Sequence, residues 1–203
     1  PTSDAGAAHA RIVELVRAHP GAVTLVAIGP LTNLALALRA APDIAGLVAG
    51  VTIMGGAFEQ GNVTPYAEAN IHNDAEAAAI VLAAPWPVTL VPLDATRLCV
   101  LSTSDARAAG DFVETITRGY AAAYAAHEGL DGCPLHDVAA LVSLTAPELF
   151  TPKFSHVGVA IGGERHGQTL VRAGDPPLRI LAEADGAGLA EHFLRSIARS
   201  RGD

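Results

Sequence analysis

The sequence predicts an α/β protein with an open, mostly parallel sheet and helices on both faces. Short runs of branched apolar residues alternate with helical patterns along the chain, and no repeat or linker interrupts them. Half of the residues are hydrophobic and only 17% are charged, which is typical of a chain with a large buried core. With 203 residues, the chain has the usual size of one domain, so we expect a single domain over residues 1–203.

The first half of the chain alternates between helix and strand. Apolar residues on one face predict a helix over residues 3–19, which Pro20 and Gly21 end. Continuous branched runs predict three strands buried on both faces, over residues 23–28, 47–54 and 88–93. Helices are predicted between them, over residues 34–41 and 75–84. Asp74 is positioned to cap the second of these helices, whereas the polar stretch 58–73 fits neither period.

The second half of the chain begins with helices and adds further strands. Helical spacing predicts helices over residues 104–127, 136–144 and 188–200. Strand-like runs occupy residues 157–161, 168–171 and 178–181. Open parallel sheets bind ligands at the carboxyl ends of their strands, and polar segments follow the predicted strand ends at Ile28, Met54 and Leu93.

Composition excludes several classes of partner. A formal charge of −8 argues against nucleic acid, because a phosphate backbone needs a basic surface. No segment is apolar enough to span a membrane and no basic amphipathic helix would bind one. Cys99 and Cys133 lack metal-ligand spacing and are expected to be reduced thiols. No signal peptide is visible, so a cytoplasmic location is expected, and the start at Pro1 indicates that the natural protein begins further upstream.

Two polar segments after strands are candidate binding segments. Thr32 lies in a tight strand-to-helix turn, where it is either a simple helix cap or a site residue. Asn62, Glu68 and Asn70 bring two amides and a carboxylate to one loop, which suits sugar hydroxyls because each hydroxyl both donates and accepts. In an extended segment Glu68 and Asn70 would point to the same face. The alternative is a solvated loop bonded to itself.

Two further groups belong to predicted helices. His136 and Asp137 open a helix, where Asp137 could be a cap beside an exposed histidine, or a metal ligand beside a general acid. Tyr120 and Tyr124 are four residues apart and share one helix face. They either stack on a planar ligand or pack into the core.

In this order, four segments of the chain resemble the inosine–uridine-preferring nucleoside hydrolase family. They read VTLVAIGPLTNLALAL, VTIMGGAFEQGNVTPYAEANIHNDAEAA, PLHDVAAL and, more weakly, GQTLV. The resemblance implies a Rossmann-like fold and hydrolysis of a ribonucleoside by a water bound to Ca²⁺, with a small-molecule nucleoside as substrate and a homo-oligomer, dimer or tetramer, as the assembly. The implied metal ligands are the carbonyl of Thr32 and the carboxylate of Asp137. The residues implied to bind or contact the ribose are Met54, Asn62, Glu68 and Asn70. Contact with the base is implied for Tyr120 and Tyr124, and proton donation to the leaving base is implied for His136.

The chain departs from the family pattern at its N-terminus. The family's first strand and the aspartate-rich segment after it have no counterpart here, so we expect the fold to lack its first strands. Ca²⁺ needs six to eight oxygens, and Thr32 with Asp137 offers too few. Ala69 and Arg172 also replace a larger apolar residue and an acid, respectively. We expect a piece of a longer enzyme; the alternatives are an inactive ribose-binding remnant and a subunit that needs a partner chain.

Overall fold

The computed structural model describes residues 7–173 and 177–201. Residues 3–6, the predicted start of the first helix, lie outside the described residues. The chain divides into two compact units: unit 1 comprises Pro1–Leu93 and Pro152–Leu181, and unit 2 comprises Asp94–Thr151 and Ala182–Asp203. The single domain over residues 1–203 stays a prediction.

The helices and strands alternate along the chain. Up to the end of unit 1's first segment they are α1 (Ala7–Ala18), β1 (Thr24–Ala27), α2 (Thr32–Ala40), β2 (Gly50–Met54), α3 (Ala69–Asn73), α4 (Ala75–Ala83) and β3 (Val88–Val91). The following elements are α5 (Leu93–Thr96), β4 (Val100–Leu101), α6 (Thr103–Ala108), α7 (Asp111–Glu128), β5 (Cys133–Pro134) and α8 (His136–Thr145). The chain ends with β6 (Phe150–Val159), β7 (Thr169–Arg172), β8 (Leu178–Ala184) and α9 (Gly186–Arg201). Two short 3₁₀ turns, Pro42–Gly46 and Pro147–Leu149, precede β2 and β6.

Within residues 7–173 and 177–201, the larger sheet has six strands in the order β1-β2-β3-β8-β6-β7. The first four strands are parallel, with Val26 opposite Thr52, Thr52 opposite Thr89 and Leu90 opposite Ile180. Strands β6 and β7 are antiparallel. This mixed, mostly parallel open sheet confirms the predicted α/β fold class. Because β1, β2 and β3 run in the same direction, the segments that follow them start from the same edge of the sheet.

Strand β1 corrects the prediction that its residues are buried on both faces. Thr24 is exposed, the other three residues are half-buried, and Ile28 just beyond the strand is 49% exposed. The reason is its position at an edge of the sheet, where β2 is its only paired strand among the described residues. Strands β2 and β3 lie inside the sheet and are mostly buried, as predicted.

Three further elements differ from the predicted pattern. The single helix expected over residues 104–127 is two helices, α6 and α7, because Gly110 between them has a φ of 100° that no helix allows. Helix α3 forms inside the polar stretch 58–73. Its five residues are too few to show a helical period in the sequence. Strands β4 and β5 form a two-residue antiparallel ribbon that no sequence period could reveal.

Burial within each unit follows the apolar pattern. In unit 1 the fully buried side chains include Ile53 of β2, Ile71 of α3 and Leu90 of β3. In unit 2 Leu101 and Leu189 are fully buried, and Cys99 and Cys133 are buried free thiols. Burial raises the pKa of Cys99 to about 12, with a smaller contribution from the charge of Asp185. Within residues 7–173 and 177–201, no helix has the length and apolar character needed to cross a membrane.

Candidate functional site

In unit 1, Glu68 organises the loop that follows β2. Its side chain is only 2% exposed and caps α3, accepting the N–H of Asn70 at 2.8 Å and that of Ile71 at 3.1 Å. The N–H of Gly56, just after β2, donates to the same carboxylate at 3.0 Å. Three backbone N–H groups therefore donate to one buried side chain and join the end of β2 to α3.

Asn70 lies in the first turn of α3 and points back to the end of β2. Its side-chain Nδ2 donates to the carbonyl of Met54 at 3.2 Å and contacts the sulfur of the same residue at 3.4 Å. The expectation that Glu68 and Asn70 share one extended segment is wrong, because Glu68 is the cap and Asn70 is already helical. The cap nevertheless brings Met54, Glu68 and Asn70 together.

Asn62 lies on the exposed part of the same loop. Its Oδ1 accepts the N–H of Ala69 at 2.9 Å, and its own N–H donates to the carbonyl of Ala67 at 3.1 Å. Gly61 makes this turn possible, since a Cβ there would lie 2.3 Å from the carbonyl oxygens of Thr64 and Ala67. The loop is thus bonded to itself, as one of the sequence alternatives held, and these bonds also fix the position of Asn62.

Strand β7, also in unit 1, is hydrogen-bonded to the segment that follows β2. The hydroxyl of Thr169, on β7, accepts the N–H of Ala57 at 3.0 Å and donates to the carbonyl of Ala57 at 2.7 Å. Gly56 has a φ of 83°, and a Cβ there would approach Thr169 within 3.1 Å. Sequence reasoning missed this role of Thr169, because one threonine in a strand carries no distinguishing signal.

Thr32 is the first residue of α2, and its side chain does not cap that helix. Its hydroxyl instead donates to Asp74 at 2.5 Å, while the other oxygen of Asp74 accepts the N–H of Ala77 at 3.0 Å. Asp74 is therefore the cap of α4, as predicted, and it also joins the starts of α2 and α4. The role of the Thr32 carbonyl as a metal ligand stays a prediction.

In unit 2, His136 is the first residue of α8 and is buried, with 9% exposure, which excludes the exposed-histidine alternative. Its Nδ1 lies 2.6 Å from the hydroxyl of Thr96 and its Nε2 lies 2.9 Å from the hydroxyl of Tyr124. Burial, with a smaller effect of the Arg97 charge, lowers the pKa of His136 to about 4. The imidazole is therefore neutral at pH 7.

The two tyrosines of α7 lie beside this imidazole. Their rings are 5.0 Å apart, and the Tyr120 ring centre is 6.5 Å from that of His136. Tyr120 is 46% exposed, so the core-packing alternative is wrong for this residue. Burial, followed by hydrogen bonding with Tyr120, raises the pKa of Tyr124, so its hydroxyl stays protonated at neutral pH.

Asp137 follows His136 in the first turn of α8. The cap residue of this helix is Leu135, without a side-chain cap bond, so the cap alternative for Asp137 is wrong. The carboxylate is exposed at the surface, yet desolvation by nearby protein atoms raises its pKa. Residues 7–173 and 177–201 contain no group of three or more His, Cys, Asp or Glu side chains that could hold a metal ion. These residues therefore do not fit a complete calcium site.

Sequence reasoning also missed Thr96, the partner of His136. Thr96 is fully buried and ends α5, the polar segment that follows β3. A signal was present, since polar residues after a buried strand are site candidates. The 40 residues that separate Thr96 from His136 hide the pairing from any local pattern.

Comparisons with known proteins point in one direction. The sequence model of the family described as inosine-uridine preferring nucleoside hydrolase matches residues 1–191. The pyrimidine-specific ribonucleoside hydrolase RihA of Citrobacter koseri is 35% identical over 201 residues, covering 92% of this chain and 64% of the relative. Uridine nucleosidase 1 of Arabidopsis thaliana is 37% identical over 169 residues, covering 79% of this chain and 50% of the relative.

Solved structures give the same result. The plant nucleoside hydrolase PpNRh1 has a TM-score of 0.90 and 30% identity, covering 94% of this chain and 66% of that one. The purine-preferring ribonucleoside hydrolase from Gardnerella vaginalis has a TM-score of 0.87 and 30% identity, covering 93% and 64%. The chain therefore spans between half and two thirds of the length of these proteins.

Proposed function

Because the chain belongs to the inosine-uridine preferring nucleoside hydrolase family, we propose that the whole protein hydrolyses the N-glycosidic bond of ribonucleosides to ribose and free base. The observation that carries this proposal is the family match over residues 1–191. Relatives and structural neighbours are named for pyrimidine, uridine and purine substrates, so the proposal covers ribonucleosides as a class and assigns no base.

Unit 1 supplies the groups proposed to bind the ribose. Asn62 and Asn70 each have one side-chain amide atom fixed by a backbone bond, which orients the rest of the amide toward a ligand hydroxyl. The Met54 side chain, in contact with Asn70, would lie against the sugar. Glu68 holds the loop in this form, and its contact with a ribose hydroxyl is part of the proposal. Fixed hydroxyl contacts away from the reacting carbon set the pose of the substrate.

Unit 2 supplies the groups proposed to assist the leaving base. An imidazole with a pKa of about 4 is protonated in about one molecule in a thousand at pH 7, which is unfavourable for the predicted acid role of His136. Tyr124 keeps its proton and is hydrogen-bonded to His136. We therefore propose that the neutral His136 orients Tyr124, and that the Tyr124 O–H donates a hydrogen bond to the departing base. Tyr120 would stack on that base.

Leaving-group dependence tests this assignment. Tyr124→Phe in the whole protein should lower kcat about 100-fold on uridine and inosine, because these bases leave poorly without a hydrogen-bond donor. On an activated aryl riboside, which needs no such help, the loss should be less than about threefold. Ribose release measures both rates, and Tyr66→Phe, in unit 1, is the matched control variant. Equal losses on both kinds of substrate would remove Tyr124 from the role of donor.

Calcium is implied by the family, but the described residues do not fit a complete site for it, so no step here is derived through the metal. This observation favours a second candidate for the 203-residue chain by itself: nucleoside binding without hydrolysis. Calorimetry with ribose and with calcium distinguishes the two, since ribose binding without calcium binding supports the second candidate.

A homo-oligomeric assembly and a cytoplasmic location stay proposals; sedimentation tests the former.

A further inference from the structure

Thr96 is the buried partner of His136 in unit 2. Its side chain is fully buried at the end of α5, and its carbonyl accepts the N–H of Cys99 at 3.2 Å. The Cys99 carbonyl in turn accepts the N–H of Leu135 at 2.7 Å, one residue before His136. The backbone that carries Thr96 is thus bonded to the backbone that carries the histidine.

The imidazole of His136 lies between two hydroxyl groups. Thr96 contacts Nδ1 at 2.6 Å and Tyr124 contacts Nε2 at 2.9 Å. A neutral imidazole has one N–H donor and one acceptor nitrogen, so exactly one of the two hydroxyls donates to the ring and the other accepts from it. Two arrangements are possible, and they direct the proton of Tyr124 in opposite directions.

The surroundings of Thr96 decide between these arrangements. Within the part of the chain that the structure describes, His136 is the only side chain hydrogen-bonded to the Thr96 hydroxyl. If Nδ1 carried the proton, the hydroxyl proton of this fully buried threonine would lack an acceptor, which is unfavourable. If Thr96 donates to Nδ1, both buried groups are satisfied and the ring proton lies on Nε2. Tyr124 is only part-buried, so its own proton can find an acceptor elsewhere.

We infer that Thr96 is a positioning residue that holds His136 in the tautomer protonated at Nε2, so that the Tyr124 hydroxyl accepts from the ring and directs its proton away from it. The meaning of this for catalysis rests on the proposed function: only in this arrangement is the Tyr124 proton available to a departing base. With the opposite tautomer, the Tyr124 hydroxyl would donate its hydrogen bond to Nε2 of His136 instead of to the base.

Nitrogen NMR of the 203-residue chain tests the tautomer without any enzyme activity. In a ¹⁵N-histidine sample at pH 7, long-range ¹H–¹⁵N spectra should show His136 with Nε2 protonated and Nδ1 unprotonated, with the signals assigned by their loss in His136→Gln. Thr96→Val removes the hydroxyl but keeps the shape, and should change the tautomer ratio at least fivefold. Thr96→Ser should restore the ratio. A wild-type ring protonated at Nδ1 overturns the inference, as does a ratio unchanged in Thr96→Val.

Kinetics of the whole protein form the second arm. Thr96→Val should lower kcat on uridine about tenfold with KM within twofold, and Thr96→Ser should recover the rate. If His136 shows the expected tautomer but the whole protein hydrolyses no ribonucleoside, the proposed function is wrong and the inference about Thr96 is still supported. Should Thr96→Val fail to fold, the wild-type tautomer and the Ser variant still decide the matter.

Discussion

The buried neutral His136 predicts a specific dependence of stability on pH. Its pKa of about 4 in the folded chain lies below the ordinary value of 6.5, so the unfolded chain binds a proton more readily between those pH values. Stability from this group is complete above pH 6.5 and is lost as pH falls toward 4. A difference of about 2.5 units at 1.36 kcal/mol per unit corresponds to about 3 kcal/mol. The main cause is burial of the imidazole, and the charge of Arg97 has a smaller effect.

Comparison of the wild-type chain with His136→Gln isolates this contribution. The free energy of unfolding of each is measured by urea denaturation at several pH values between 4 and 7.5. The difference between the two proteins should shift by about 3 kcal/mol against the wild type as the pH falls from 7 to 4. Tyr124→Phe serves as control, because it keeps the buried imidazole and should keep the pH dependence. A difference between wild type and His136→Gln that does not change with pH would refute the reasoning.

Two further predictions concern the loop of unit 1. Glu68→Gln places an amide donor against backbone N–H groups, so we expect a loss of about 2 kcal/mol in the free energy of unfolding, measured by denaturation; no loss would show that the cap is dispensable. Gly61→Ala should cost more than about 2 kcal/mol because its Cβ meets the carbonyl of Ala67, whereas Gly119→Ala, with open space inside α7, should stabilise by up to about 1 kcal/mol. Equal thermal midpoints for the two alanine variants would contradict this contrast.

Local patterns in the sequence predicted the elements whose cause is local. The Asp74 cap and the buried strands β2 and β3 are found where the pattern placed them, because capping and apolar runs depend on neighbouring residues only. Strand β1 has the same apolar pattern as β2, yet it lies at an edge of the described sheet and is partly exposed. Which strands flank a given strand is a property of the whole sheet and not of the strand's own residues.

The candidate site also combines features that local sequence patterns show with features that depend on tertiary packing. The residue types of the loop, two amides and a carboxylate, were visible in the sequence, but the burial of Glu68 and its three backbone donors were not. The pairing of His136 with Thr96 joins residues 40 positions apart, so it depends on tertiary packing. Burial was not visible in the sequence either, and it lowers the pKa of His136 to about 4, which is unfavourable for the predicted acid role. That role stays a prediction.

Ribose release by the whole protein tests the central claim most directly. Uridine, cytidine, inosine and guanosine are each incubated with the purified wild-type protein and with Tyr124→Phe, with calcium present, and free reducing sugar is measured over time. We expect ribose from at least one of these nucleosides with the wild type and a rate about 100-fold lower in Tyr124→Phe. A correctly folded whole protein that releases no ribose from any of the four would contradict the central claim.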